Sequence, residues 1–110
     1  MSATDGPKMN LENHIVPVTD VDRGKGLYAR LGWRLDDDVA PMDGLRFVQF
    51  TPPGSAASIT FGLGLNTAPP GSTQGTLVVS DIVAAHDGLL KLGIDVSDIW
   101  HGPPFPLEAR

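Results

Sequence analysis

The chain reads as an α+β protein built from tandem βαβββ modules, the second of them incomplete. Three observations lead there. Val18-Thr19-Asp20-Val21 returns as Val79-Ser80-Asp81-Ile82, and the same shift carries Leu31-Gly32 onto Leu92-Gly93 and Asn13 onto Gln74. Self-similarity at a fixed shift marks two copies of one structural unit, each with its own apolar face to bury. Within the first copy, β-branched and aromatic runs surround one helical stretch and are separated by glycine- and proline-rich turns. At the same shift Arg110 falls on Gln49, so the second copy is expected to end before the counterpart of residues 58–63.

Residues 1–10 are polar, carry a Gly6-Pro7 breaker, and read as a disordered leader. Residues 11–65 form the first module. Its opening strand is expected over 11–18, where Ile15, Val16 and Val18 favour extended backbone and Pro17 marks an edge or a bulge. Thr19 and Asp20 offer side-chain acceptors to a following helix, expected to run to about Leu31. Gly24 and Gly26 weaken that helix, and Gly32 ends it by reaching the left-handed conformation. Residues 33–39 and 45–51 are two strands around a turn at 40–44, and 58–63 are the fourth strand after Pro52-Pro53-Gly54-Ser55.

Residues 66–72 are rich in Pro and Gly and read as the linker. Residues 73–110 are a partial second βαβ module with a Pro-rich tail. Its strand is expected over 75–79, its helix from the Asp81 cap through Leu92 with Gly93 as the stop, and a short strand over 94–100. The prolines at 103, 104 and 106 lack amide donors and exclude a paired central strand there.

Composition narrows the function classes. The 110 residues contain no cysteine, which removes disulfides, thiolate metal sites and cysteine nucleophiles. Only 8 Lys and Arg stand against 13 Asp and Glu, a net charge of −5 that disfavours nucleic acid as a partner. No apolar run reaches membrane-spanning length and no segment resembles a signal-peptide core, so a cytoplasmic protein without membrane contact is expected.

The runs Val16-Pro17-Val18-Thr19-Asp20-Val21-Asp22-Arg23, Tyr28 and Leu31-Gly32-Trp33-Arg34-Leu35 carry a resemblance, joined by 47–55, 58–62 and Leu77-Val78-Val79-Ser80-Asp81-Ile82. Over residues 11–100 the sequence resembles the vicinal oxygen chelate superfamily of glyoxalase I, bleomycin-resistance proteins and extradiol dioxygenases, and looks nearest to its bacterial glyoxalase-like subgroup, with the second module truncated. The resemblance implies a cleft formed by curved sheets. In the metal-dependent members it implies His, Glu or Gln ligands from the first and last strand of each module. Here those positions fall on Asn13, Thr60 and Gln74, and the fourth lies beyond Arg110. Neutral amide and hydroxyl oxygens hold a first-row divalent metal weakly, so no metal cofactor is expected unless the site is completed elsewhere.

Alternation extends the cleft-facing set. If Asn13 and Thr60 face the cleft, so do Ile15, Ser58 and Gly62, with Phe47 and Gln49 on the neighbouring strand. The expected ligand-binding residues are Asn13, Phe47, Gln49, Thr60, Gln74 and Trp100, with Trp33 a further source of stacking contact; catalytic residues are not identifiable. The leading reading is binding of a small organic molecule without a catalytic metal, by a chain that completes its sheet edges as a homodimer. Two alternatives stand beside it. One is a metal-dependent lyase or dioxygenase whose site a partner chain or missing strands would complete; the other is an interaction module with no ligand. His14 with Glu12 reads as an exposed polar pair, His86 as solvent-facing, and Asp36-Asp37-Asp38 as a solvated strand end.

Overall fold

The computed structural model describes residues 7–100. The first six residues of the expected leader and the expected Pro-rich tail lie outside the described residues. The chain divides into two compact units, residues 1–74 and 75–110.

The first unit is built in the order β1 (Asn13–Ile15), α1 (Val21–Arg30), β2 (Arg34–Met42), β3 (Leu45–Thr51) and β4 (Ser58–Leu63). The strands form one sheet in the order β1-β4-β3-β2, with β1 parallel to β4 and the other pairs antiparallel. Bonds from Ser58 N to Glu12 O (2.9 Å) and from Val16 N to Thr60 O (2.8 Å) flank the short β1–β4 ladder, and Pro17, which has no amide, ends it.

Helix α1 starts where the sequence places its cap. Asp20 is extended and its Oδ1 accepts from Arg23 N at 3.0 Å, satisfying one of the free amides of the first turn. Gly32, at φ 78°, turns the chain out of the helix. Val21 and Tyr28 lie on the inward face, against Val48, Phe50 and Phe61 from alternate positions of β3 and β4. Val48, Phe50 and Phe61 are the most deeply buried large side chains described. Tyr28 sits among three aromatic rings, with centroids 5.0 Å from Trp33, 5.8 Å from Phe50 and 5.6 Å from Phe61. Offset aromatic packing of this kind adds to area burial, and burial raises the Tyr28 hydroxyl above its ordinary pKa. Trp33 therefore belongs to the core beneath the sheet, not to its open face.

Strand β2 runs longer than the sequence suggests, reaching Met42 and leaving Asp43-Gly44 as the turn. It does so through two irregularities, between Leu35 and Asp37 and between Val39 and Met42. As the edge strand of the sheet, β2 tolerates Pro41 without a missing ladder bond.

The second unit contains α2 (Ile82–Lys91), capped by Asp81, whose Oδ1 accepts from Ala84 N at 3.0 Å, and followed by Gly93 at φ 76°. The strands expected over 75–79 and 94–100 are not formed among the described residues. The β-branched run is extended in sequence character, but neither segment has a ladder partner, and cross-strand pairing is what stabilises a strand. His86 corrects its expectation as well. Its ring is largely covered and its Nε2 lies 2.9 Å from the Ser97 carbonyl oxygen, so it ties residue 97 to the helix. No described helix is long and apolar enough to cross a membrane.

Candidate functional site

Period-two alternation gives the first-unit sheet two faces. One is covered by α1; the other carries an open concavity of about 340 Å³ lined by Asn13, Ile15, Asp37, Val39, Leu45, Phe47, Gln49, Thr60, Gly64 and Leu65. Its size is at the lower end of the usual range for small-molecule sites. Strand register explains how the floor is assembled. Ile15 pairs with Thr60, Thr60 with Gln49, and Gln49 with Asp37, so these four side chains form one transverse row across all four strands. One step along, Phe47 pairs with Val39 and begins an apolar row.

Four of the six residues expected from sequence, Asn13, Phe47, Gln49 and Thr60, are thus brought together. Gln74 is not. Gln74 is exposed and is not among the described lining residues; no strand forms after it to hold it in register, and its neighbour Thr73 is the residue that reaches the Ile15 carbonyl, at 3.4 Å. Trp100 belongs to the second unit and is 40% exposed. Ser58 lies on the open face but turns to Thr51 rather than to the concavity.

Sequence reasoning missed Val39, Leu45, Gly64 and Leu65 in the lining, and with them its charged member, Asp37. Simple alternation puts Asp36 and Asp38 on one face and Asp37 on the other. The bulge changes this: Leu35 pairs with Phe50 and Asp37 with Gln49, so Asp36 is the extra residue. Asp36 accepts hydrogen bonds from the Thr51 hydroxyl, from Arg34 Nε at 2.6 Å and from Gln49 Nε2 at 3.4 Å. Because the Thr51 proton is committed to Asp36, the 2.6 Å contact between Thr51 Oγ1 and Ser58 Oγ has Ser58 as its donor. The Thr51 hydroxyl, followed by Arg34, holds the Asp36 carboxyl below the ordinary carboxylate range, so it is an anionic acceptor at neutral pH. A carboxylate accepts only, which fixes the Gln49 amide with nitrogen toward Asp36 and its carbonyl oxygen free.

Asp38 points to the opposite face, where Arg46 grips it with two bonds and Lys25 with a third. The acidic run is therefore not a solvated strand end. Two of its three carboxylates are bound by cations and hydroxyls, and Asp37 is left at the concavity.

Thr60 is the decisive member of the floor. It is 5% exposed, and its Oγ1 has no hydrogen-bond partner. Leaving a buried hydroxyl unsatisfied costs about 1–3 kcal/mol.

The donor set does not fit a first-row metal ion. Asn13 and Thr60 share the concavity but offer only neutral oxygens, Gln74 stands apart from it, and no group of three or more His, Asp or Glu able to hold a metal occurs among the described residues. Asp37 by itself does not make a site for one.

No family model and no curated protein matches the sequence. Solved structures do match in fold. TnmS3, an antibiotic binding protein from Streptomyces sp. CB03234, superposes with a TM-score of 0.74 at 28% identity, over 87% of this chain and 80% of that one. A glyoxalase/bleomycin resistance protein from the same organism gives 0.70 at 29% identity, over 86% and 83%. A member of the glyoxalase/bleomycin resistance protein/dioxygenase superfamily from Sphaerobacter thermophilus gives 0.73 at 24% identity, over 88% and 82%, a likeness of fold. With its β1-α1-β2-β3-β4 unit, its mixed sheet and these structural neighbours, the chain has the vicinal oxygen chelate fold of the glyoxalase/bleomycin resistance/dioxygenase superfamily.

Proposed function

We propose that this chain binds a small organic molecule in the concavity on the open face of its sheet, by contacts that need no metal. The observation that carries the reading is the buried, partnerless Thr60 hydroxyl at the floor of a 340 Å³ recess. Thr60 lines the recess, and its covered hydroxyl has no protein hydrogen-bond partner among the described residues, so the floor holds a polar group not already committed to another side chain. Around it, Asn13 and Gln49 offer amides and Phe47, Val39 and Leu45 offer apolar contact, the mixture of few polar and many apolar groups typical of such sites. The antibiotic-binding neighbour TnmS3 supports the same class of role.

The test is a titration of the isotope-labelled protein with a panel of aromatic compounds, read by amide NMR. Shift changes are expected to cluster on Asn13, Phe47, Gln49 and Thr60. Thr60→Ala and Gln49→Ala are expected to weaken binding severalfold with folding intact, while Gln74→Ala leaves it unchanged. Shifts confined to other surfaces, or absent at millimolar compound, overturn the reading.

Association into a homodimer is part of the same proposal. Edge strand β2 presents unpaired backbone groups, and Val78 is 95% exposed in a β-branched segment without a ladder partner among the described residues. Light scattering after size exclusion distinguishes a dimer from a monomer, and a monomer at working concentration removes this part.

A further inference from the structure

The concavity is one-sided in charge, its uncharged polar members being Asn13, Gln49 and Thr60. Its lining contains no lysine, arginine or histidine, and a single ionisable group, Asp37. That carboxylate has no partner among the described residues; Arg34, the cation nearest in sequence, is spent on Asp36 at 2.6 Å. Beside it stands Gln49, its cross-strand partner. The Gln49 nitrogen is turned to Asp36, so the carbonyl oxygen is what the amide shows to a ligand. Asp37 therefore offers acceptors only, and Gln49 offers its carbonyl oxygen beside the one amide hydrogen not given to Asp36. Next in the row, roughly 5 Å further across one strand spacing, lies the buried Thr60 hydroxyl, without a protein partner among the described residues. The adjoining row of Phe47 and Val39, with Leu45, gives the apolar part of the lining.

Resting on the small-molecule reading above, we propose that the concavity is selective for apolar molecules carrying a protonated amine. Asp37 is the specificity-determining residue. The ammonium sits between the Asp37 carboxylate and the Gln49 carbonyl, two acceptors one strand apart, and the hydrocarbon or aromatic body lies on Phe47, Val39 and Leu45. An anionic ligand meets the opposite situation, a carboxylate and an oriented carbonyl with no cation to offset them. This preference is not a consequence of net charge alone. The other two carboxylates of the acidic run are already bound by Arg34, Lys25 and Arg46, and only Asp37 faces the recess uncompensated.

Three compounds with one aromatic body test this: naphthylmethylamine, naphthylmethanol and naphthoate, each titrated into the intact chain and followed by amide NMR. The amine is expected to bind about fivefold more tightly than the alcohol, the worth of a partly exposed ion pair, with naphthoate weakest. Salt is expected to erode the amine's advantage and not the alcohol's binding. Asp37→Asn is expected to remove the amine's advantage over the alcohol. The ranking of the three on the unaltered protein decides the matter even if the variant folds poorly. Naphthoate binding as well as the amine, at the same residues, overturns the selectivity and leaves the small-molecule reading standing. Failure of all three to move Asn13, Phe47, Gln49 or Thr60 overturns both.

Discussion

Asp38 and Arg46 meet in a two-bond fork, with Nε donating to Oδ1 at 3.0 Å and Nη2 to Oδ2 at 2.9 Å. The pair joins β2 to β3 across the face that carries α1. From that helix Lys25 Nζ adds a 2.7 Å bond to Asp38, while Asp22 accepts from Arg46 Nη1 at 3.0 Å. One carboxylate thus ties two strands and a helix together. Arg46 first, and Lys25 second, hold the Asp38 carboxyl well below the usual carboxylate range. A carboxyl with a lowered folded-state pKa stabilises the fold fully above its unfolded value, about 3.9, and loses that contribution as the pH falls below it. Asp38→Asn is expected to cost roughly 1 kcal/mol at neutral pH, since the groups are partly solvated. Denaturant unfolding from about pH 5 to about pH 2 is expected to show a shallower loss for the variant than for the parent. Part of the slope persists because Asp36 is lowered too. Parallel curves would remove Asp38 from the acid response.

Gly62 is required by a close approach rather than by its torsion angles. A Cβ built there would lie 1.8 Å from the Arg46 carbonyl oxygen, a backbone atom of the paired strand. No side-chain movement relieves that contact; β3 and β4 must separate. Gly62→Ala is expected to destabilise by roughly 3 kcal/mol, the upper end of overpacking penalties, and to broaden the amide signals of Phe47 and Thr60. A variant with an unchanged unfolding midpoint would mean that the ladder relaxes freely at this point.

The two helical glycines separate propensity from packing. Nothing lies within 4 Å of a Cβ at Gly26, whereas one at Gly24 would sit 3.1 Å from the Phe61 ring. Phe61 is fully buried and stacked on Phe50 at 6.1 Å, so the ring has nowhere to move. Gly26→Ala is expected to gain up to about 1 kcal/mol from helix propensity. Gly24→Ala is expected to gain nothing or to lose stability. Thermal melts of the two variants side by side check the contrast, and equal gains would show that the core yields at Phe61.

What the sequence revealed and what it hid divides along local and non-local lines. The caps at Asp20 and Asp81 and the stops at Gly32 and Gly93 act within a few residues, and both helices are where those signals put them. Strands β3 and β4 alternate cleanly between turn residues, and their bounds follow. Period two also places Asn13, Phe47, Gln49 and Thr60 on one face. The bulge at Asp36 is different, because Thr51 and Gln49, far along the chain, hold it open. Without it Asp37 falls on the wrong face, which is why the charged member of the recess was invisible. The second unit fails for the same reason. Leu77-Val78-Val79 has the composition of a strand, but only a distant partner can make it one.

Thr60 offers the sharpest separation of stability from binding. Replacing its hydroxyl by a methyl keeps the shape of the side chain and removes a buried polar atom that has no partner. For most buried threonines such a change forfeits a hydrogen bond; here none exists to lose. Thr60→Val is therefore expected to be neutral or to stabilise the fold by about 1 kcal/mol, the low end of an unsatisfied group's cost. The same substitution is expected to weaken a bound aromatic amine or alcohol severalfold, because it takes away the one partner buried at the floor. Calorimetric unfolding and NMR titration on one sample give both numbers. A variant less stable than the parent would show that the hydroxyl is satisfied in solution, and one that is more stable and binds equally well would place the ligand away from β4.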